Sequence, residues 1–160
     1  MKKREADARA LAGVEPLQPF AYTLALLREL AADQDWEVLR EQAERHLDST
    51  ERAVAIEARR MLALCLGQTP DPSEKAQAAD LYNRLIADEA AEATDFAALA
   101  SLLVDSDDYE GAKKALLKGM ERFPEAAEGY RAIGQRIVEA TGDRAFRDEL
   151  NVQRAGRRTA

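Results

Sequence analysis

Asp105, Asp107, Asp108 and Glu110 stand within six residues of one another and are followed by Gly111. Closely spaced carboxylates with a glycine beside them are the raw material of a calcium loop. An EF-hand loop, however, needs Gly at its sixth position and a closing Glu at its twelfth. Counted from Asp105, the sixth residue is Glu110 and the twelfth is Leu116. The glycine comes one place late and the closing carboxylate is missing. A turn between two helices accounts for every residue instead. Asp105 and Ser106 end the first helix, and Asp107 caps the second with Glu110 three residues on. Tyr109 packs inward, and Gly111 and Ala112 permit close helix approach. No metal and no cofactor are expected.

The other residues capable of chemistry stand alone. His46 is the single histidine and Cys65 the single cysteine. A zinc site or an acid–base pair needs convergent partners that the sequence does not supply. Cys65 lies in an apolar run and reads as core. The eight glycines are scattered singly, so there is no phosphate-cradling loop. Trp36, at the start of a helix, reads as a packing anchor. The chain is therefore not expected to be an enzyme.

The elements that carry these residues are helical. Of 160 residues, 46% are hydrophobic and 33% charged, with only 5 prolines. The dominance of Ala, Leu, Glu and Arg favours helix, because these side chains lose little freedom in it. The net charge of −7 disfavours nucleic-acid binding, which needs clustered cations. The N-terminal MKKREADARA has no apolar stretch behind its basic residues, and no run approaches a membrane span. A lone cysteine fits a reducing compartment, so a cytoplasmic location is expected. Lys2, Lys3, Arg4 and Arg9 at one end, and Arg154, Arg157 and Arg158 at the other, read as solvated.

Apolar periodicity predicts helices over 19–32, 35–48, 50–66, 73–90, 94–105, 108–122, 125–140 and 143–155, with a short charged helix near 2–12. No stretch alternates with period two. The fold class expected is all-α, with a charged segment at 1–18, a helical-repeat domain at 19–156 and a basic tail at 157–160. Turn chemistry marks the joints. Asp71 with Pro72 and Glu74 has capping-box spacing, Gly142 suits a left-handed helix end, and Pro124 separates the last two pairs.

A 34-residue offset relates Phe96 to Tyr130, Leu99 to Ile133, Ala100 to Gly134, Leu103 to Ile137 and Leu116 to Leu150. Residues 93–126 supply Phe96, Leu99, Ala100, Leu103, Tyr109, Ala112, Leu116 and Pro124 in an order that resembles the tetratricopeptide repeat. The resemblance is strongest over 93–140 and extends loosely over 20–156. It implies an α-solenoid of about four helix pairs in a right-handed superhelical stack, with the first helix of each pair lining a concave side.

That concave side would carry Leu24, Arg28, Ile56, Arg59, Ala63, Leu66, Ala97, Ser101, Val104, Arg131, Gln135 and Val138. Apolar patches with a few arginines suit an amphipathic helix or extended segment bearing carboxylates. The Lys and Asn set with which some tetratricopeptide proteins hold a C-terminal carboxylate is absent from these positions. The function expected is a protein-interaction module, an adaptor or scaffold. The alternative is a self-assembling or structural subunit that uses an exposed face at Phe146, Leu150 and Val152.

Overall fold

The computed structural model describes the backbone of residues 2–11 and 19–158, and the side chains of 3–7 and 20–152. Among these residues there is no strand. The helices are α1 (Lys2–Leu11), α2 (Pro19–Ala32), α3 (Trp36–His46), α4 (Arg52–Gly67), α5 (Pro72–Ala87), α6 (Ala93–Asp105), α7 (Tyr109–Arg122), α8 (Ala127–Thr141) and α9 (Arg144–Arg158). Residues 12–18, expected within a charged N-terminal segment, lie outside the described residues, as do the side chains of Arg9 and Arg154. The backbone of Arg157 and Arg158 lies within α9, and their side chains lie outside the described residues. The chain divides into two compact units, Met1–Ala90 and Ala91–Ala160.

In the first unit α2 packs on α3 and α4, α3 on α4, and α4 on α5, while α1 lies on α2. The core comes from one stripe of each helix: Leu26, Leu27 and Leu30; Leu39 and Ala43; Ala58, Met61, Leu62 and Cys65; Ala78, Tyr82 and Leu85. The Cys65 thiol is aimed at the Trp36 carbonyl, 3.6 Å away, and burial pushes its pKa up to about 11. Asp71 caps α5 as its position predicts, accepting from the Ser73 N–H at 2.8 Å. Glu74 does not close a capping box. Its carboxylate takes the Arg40 guanidinium of α3 at 2.8 Å, which ties α3 to α5.

In the second unit α6 packs on α7 and α8, α7 on α8, and α8 on α9. Phe96 and Tyr130, the pair at the 34-residue offset, are both fully buried. Tyr130 donates its hydroxyl to the Ala93 carbonyl at 2.7 Å, and Phe96 meets the Phe123 ring at 5.9 Å. Glycines set the closest approaches. A Cβ on Gly119 would stand 2.9 Å from Tyr130 Cζ and 3.0 Å from Phe96 Cβ, and one on Gly134 would stand 2.6 Å from Leu150 Cδ1. Ala100 is fully buried. Asp143 caps α9 through the Phe146 N–H at 3.0 Å. It also receives Lys113 Nζ at 2.6 Å, and that ammonium lies 5.7 Å from the Phe146 ring centre.

Helix ends repeat one device. Asp35 N–H reaches the Leu30 carbonyl and Gln34 N–H the Ala31 carbonyl. Ala90 and Glu89 do the same to Leu85 and Ile86, and Asp108 and Asp107 to Leu103 and Val104. This is the Schellman pattern, and it places Gln34, Glu89 and Asp107 at φ of 56°, 55° and 60°. It corrects the expected cap. Asp107 occupies the left-handed position, and Asp108 caps α7, accepting from the Gly111 N–H at 2.9 Å. Gly111 makes room for that carboxylate, since a Cβ there would stand 2.5 Å from Asp108 Oδ2; helix approach is not its duty. Tyr109 is only half-buried and turns its hydroxyl to Asp107 at 2.8 Å. Gly142 ends α8 at φ 68°.

Two predictions follow from the packing. Gly119→Ala should lower stability by on the order of 1 kcal/mol, because overpacking against the Tyr130 ring and the Phe96 Cβ outweighs the helix propensity gained. Gly129→Ala, with nothing within 4 Å of its added Cβ, should raise stability by about 1 kcal/mol. Urea midpoints measure both, and equal shifts would remove the close crossing. Lys113 first, then the Phe146 N–H, hold the Asp143 carboxyl below its usual range. The stabilisation is present above the unfolded-chain pKa and is lost as pH falls through the depressed folded value. Between about pH 7 and about pH 3, Asp143→Asn should therefore lose less of its urea midpoint than the wild type does.

Candidate functional site

Along α2 runs an open groove of about 520 Å3, lined by Phe20, Ala21, Leu24, Ala25, Arg28, Glu29 and Ala32. These positions recur every four residues, so they form one stripe on the helix. Leu26, Leu27 and Leu30, on another side of α2, are buried. Leu24 and Arg28 are the two groove residues singled out from the sequence. Their neighbours Phe20, Ala21, Ala25 and Ala32 were not, although the same four-residue spacing points to them.

Arg28 closes the apolar part of the groove. Its side chain is 63% exposed, and its Nε donates to Glu57 Oε1 at 3.2 Å. Glu57 is a charge at 8% exposure. It is held from its other oxygen by Arg60 Nη1 at 2.5 Å, while Arg60 Nη2 donates to the Ala90 carbonyl at 3.0 Å. Arg28, at the exposed end of this arrangement, presents its guanidinium to solvent. The groove lining has no hydroxyl nucleophile, thiol or imidazole. Its chemistry is apolar contact with one cation and, at Glu29, one anion.

Other expected binding residues fare differently. In the first unit Ile56 is half-buried, and Arg59 is held by Asp88 at 2.6 Å. Ala63 and Leu66 are buried and so are not an open surface; Leu66 edges a smaller depression of about 220 Å3 between α4 and α5. In the second unit Ala97, Ser101 and Val138 are half-buried, and Val104 is buried. Gln135 is exposed and donates to Glu139 at 3.0 Å, and Arg131 is paired with Glu128. The three arginines expected on the concave side, Arg28, Arg59 and Arg131, thus each have a carboxylate in their own unit. The alternative face is corrected as well. Phe146 and Leu150 are 2% and 6% exposed, leaving Val152, at 68%, as the exposed member.

The acidic stretch is engaged throughout. Asp105 takes Arg136 at 2.9 Å, Asp107 takes Tyr109, Asp108 caps α7, and Glu110 takes Lys113 at 2.6 Å. Among the described residues, no three His, Cys, Asp or Glu side chains are grouped to hold a metal ion. No described helix is long and apolar enough to cross a membrane. No protein-family model, curated protein or solved structure matches the chain.

Proposed function

We propose that the chain is a non-enzymatic protein-interaction module of tetratricopeptide-like helix pairs, an adaptor or scaffold that holds a helix or extended segment of another protein. The observation that carries this reading is the α2 groove, with Leu24 and Arg28 in it. Supporting it, each unit repeats one adjacency, in which a first helix packs on its pair-mate and on the first helix of the next pair. The segment suited to the groove is apolar with a carboxylate placed to meet Arg28, where a guanidinium can hold both oxygens. Working in the cytoplasm suits the buried, unpaired thiol of Cys65.

Selection of displayed random 15-residue peptides on the full chain tests this. Enriched peptides should combine apolar anchors with a carboxylate. Arg28→Glu should weaken them at least tenfold, about 1.4 kcal/mol, with helicity unchanged by circular dichroism. Peptides that bind Arg28→Glu as tightly as the wild type, or a library that yields none, would sink the reading.

A further inference from the structure

The groove on α2 is lined by two ridges of opposite character. Residues four apart form ridges along a helix. One ridge of the lining is Phe20, Leu24 and Arg28, and the ridge next to it is Ala21, Ala25 and Glu29. The first is large and carries a cation. The second is small and carries an anion. All six are at least partly open to solvent. Among the described side chains no cation pairs with Glu29. Arg28 donates to Glu57 through Nε, which leaves its Nη groups for a second carboxylate.

A surface of this kind is its own complement. When two copies of a helix run parallel about a two-fold axis, the first ridge of each lies along the second ridge of the other. Ridges of four-residue spacing that interdigitate cross their helices at about −50°. Phe20 then meets Ala21 of the second copy, Leu24 meets Ala25, and Arg28 meets Glu29. The two-fold axis repeats each contact. Every large side chain has a small one opposite, and each cation has an anion. An antiparallel pair would lay large on large and small on small. α2 itself is a segment of the kind the groove takes: apolar, with Glu29 one turn beyond Ala25.

We propose that α2 is a dimerisation helix: a second copy of this chain seats its α2 in the groove, in parallel, and a partner's segment must displace it. The displacement rests on the protein-binding reading above, and the dimer does not. One helix against one helix is a small contact, and interfaces under about 1,200 Å2 are the weak and transient kind. An occupant that has to leave must be held weakly.

Sedimentation equilibrium on the full chain at high micromolar concentration tests the pair. The wild type should distribute between monomer and dimer. Glu29→Arg sets two cations face to face and should weaken association at least tenfold, about 1.4 kcal/mol. Arg28→Glu sets two anions face to face and should do the same. An equimolar mixture of the two variants should dimerise like the wild type, because every cation then has an anion opposite. Glu121→Arg, the same charge change at an exposed position of α7, should change nothing. Arg28→Glu also takes a partner from Glu57, so Ala25→Glu, which leaves that pair in place, is measured beside it and should dissociate the dimer as well. Circular dichroism checks that each variant keeps its helicity. A monomeric wild type overturns the dimer. So does a mixture that stays monomeric while both variants are folded, and so does Ala25→Glu that associates like the wild type. A monomeric wild type that still enriches peptides loses the dimer and keeps the protein-binding reading. Glu29→Arg retains Arg28 and should bind the selected peptides at least as tightly as the wild type; weaker binding by the folded variant overturns the displacement.

Discussion

Glu57 holds a negative charge at 8% exposure, and much of the first unit is arranged around keeping it satisfied. A buried charge without partners is strongly destabilising, whereas one with good geometry roughly breaks even. Here Arg60 on the same helix and Arg28 on α2 share its two oxygens. The pairing locks α2 to α4 at a chosen register. Arg60 then carries the link to the Ala90 carbonyl, and Arg59 and Arg52 of α4 reach Asp88 and its carbonyl. Three arginines of one helix therefore end on the turn after α5, where basic groups complement the carbonyl end of the helix. That use of cations explains why α4 is not an open basic surface.

The second unit solves the corresponding problem with size rather than charge. Its core holds the rings of Phe96 and Tyr130, with half-buried Phe123 against Phe96, between helices that approach closely. Gly119 is placed where α7 meets the Tyr130 ring and the Phe96 Cβ, and Gly134 where α8 meets the Leu150 side chain, each leaving no room for a Cβ. The consequence reaches α9. With Leu150 seated over Gly134, the apolar stripe of α9 is used in packing, and Phe146 and Leu150 disappear from the surface.

The features read correctly from the sequence are those set by local periodicity. Phe96, Leu99 and Ala100 are buried because a helix with apolar residues three and four apart has one side to hide. Asp71 and Gly142 do what their types do best. What escaped was set by distance in the chain or by backbone geometry. Arg59 and Asp88 are 29 residues apart, and nothing in either local sequence announces the other. The cap of α7 moved by one residue because a Schellman turn put Asp107 in the left-handed region, a position usually marked by glycine. Ala63, Leu66 and Val104 were placed on an open side of their helices, yet neighbouring elements bury them. For Leu150 there was a signal: Gly134, one of the small residues at the 34-residue offset, has a partner that must fill the space it leaves.

The balance of charge at the groove narrows what it can hold. The chain carries −7 overall, so an acidic partner meets general repulsion, which salt screens beyond about 8–10 Å. Against that background Arg28 is a single attractive point, with its guanidinium 63% exposed beside the buried Glu57. Glu29 stands beside it in the same lining and repels a second carboxylate. A run of acids therefore gains little over one well-placed acid, and the apolar contacts at Phe20, Ala21, Leu24 and Ala25 must supply most of the affinity. Under the proposed function, such a groove would select by spacing: an apolar anchor over Leu24 and a carboxylate about one helical turn, some 6 Å, further along to reach Arg28. Electrostatics of this kind fixes orientation more than strength, so under the proposed function Arg28 would set the direction of a bound segment rather than its affinity.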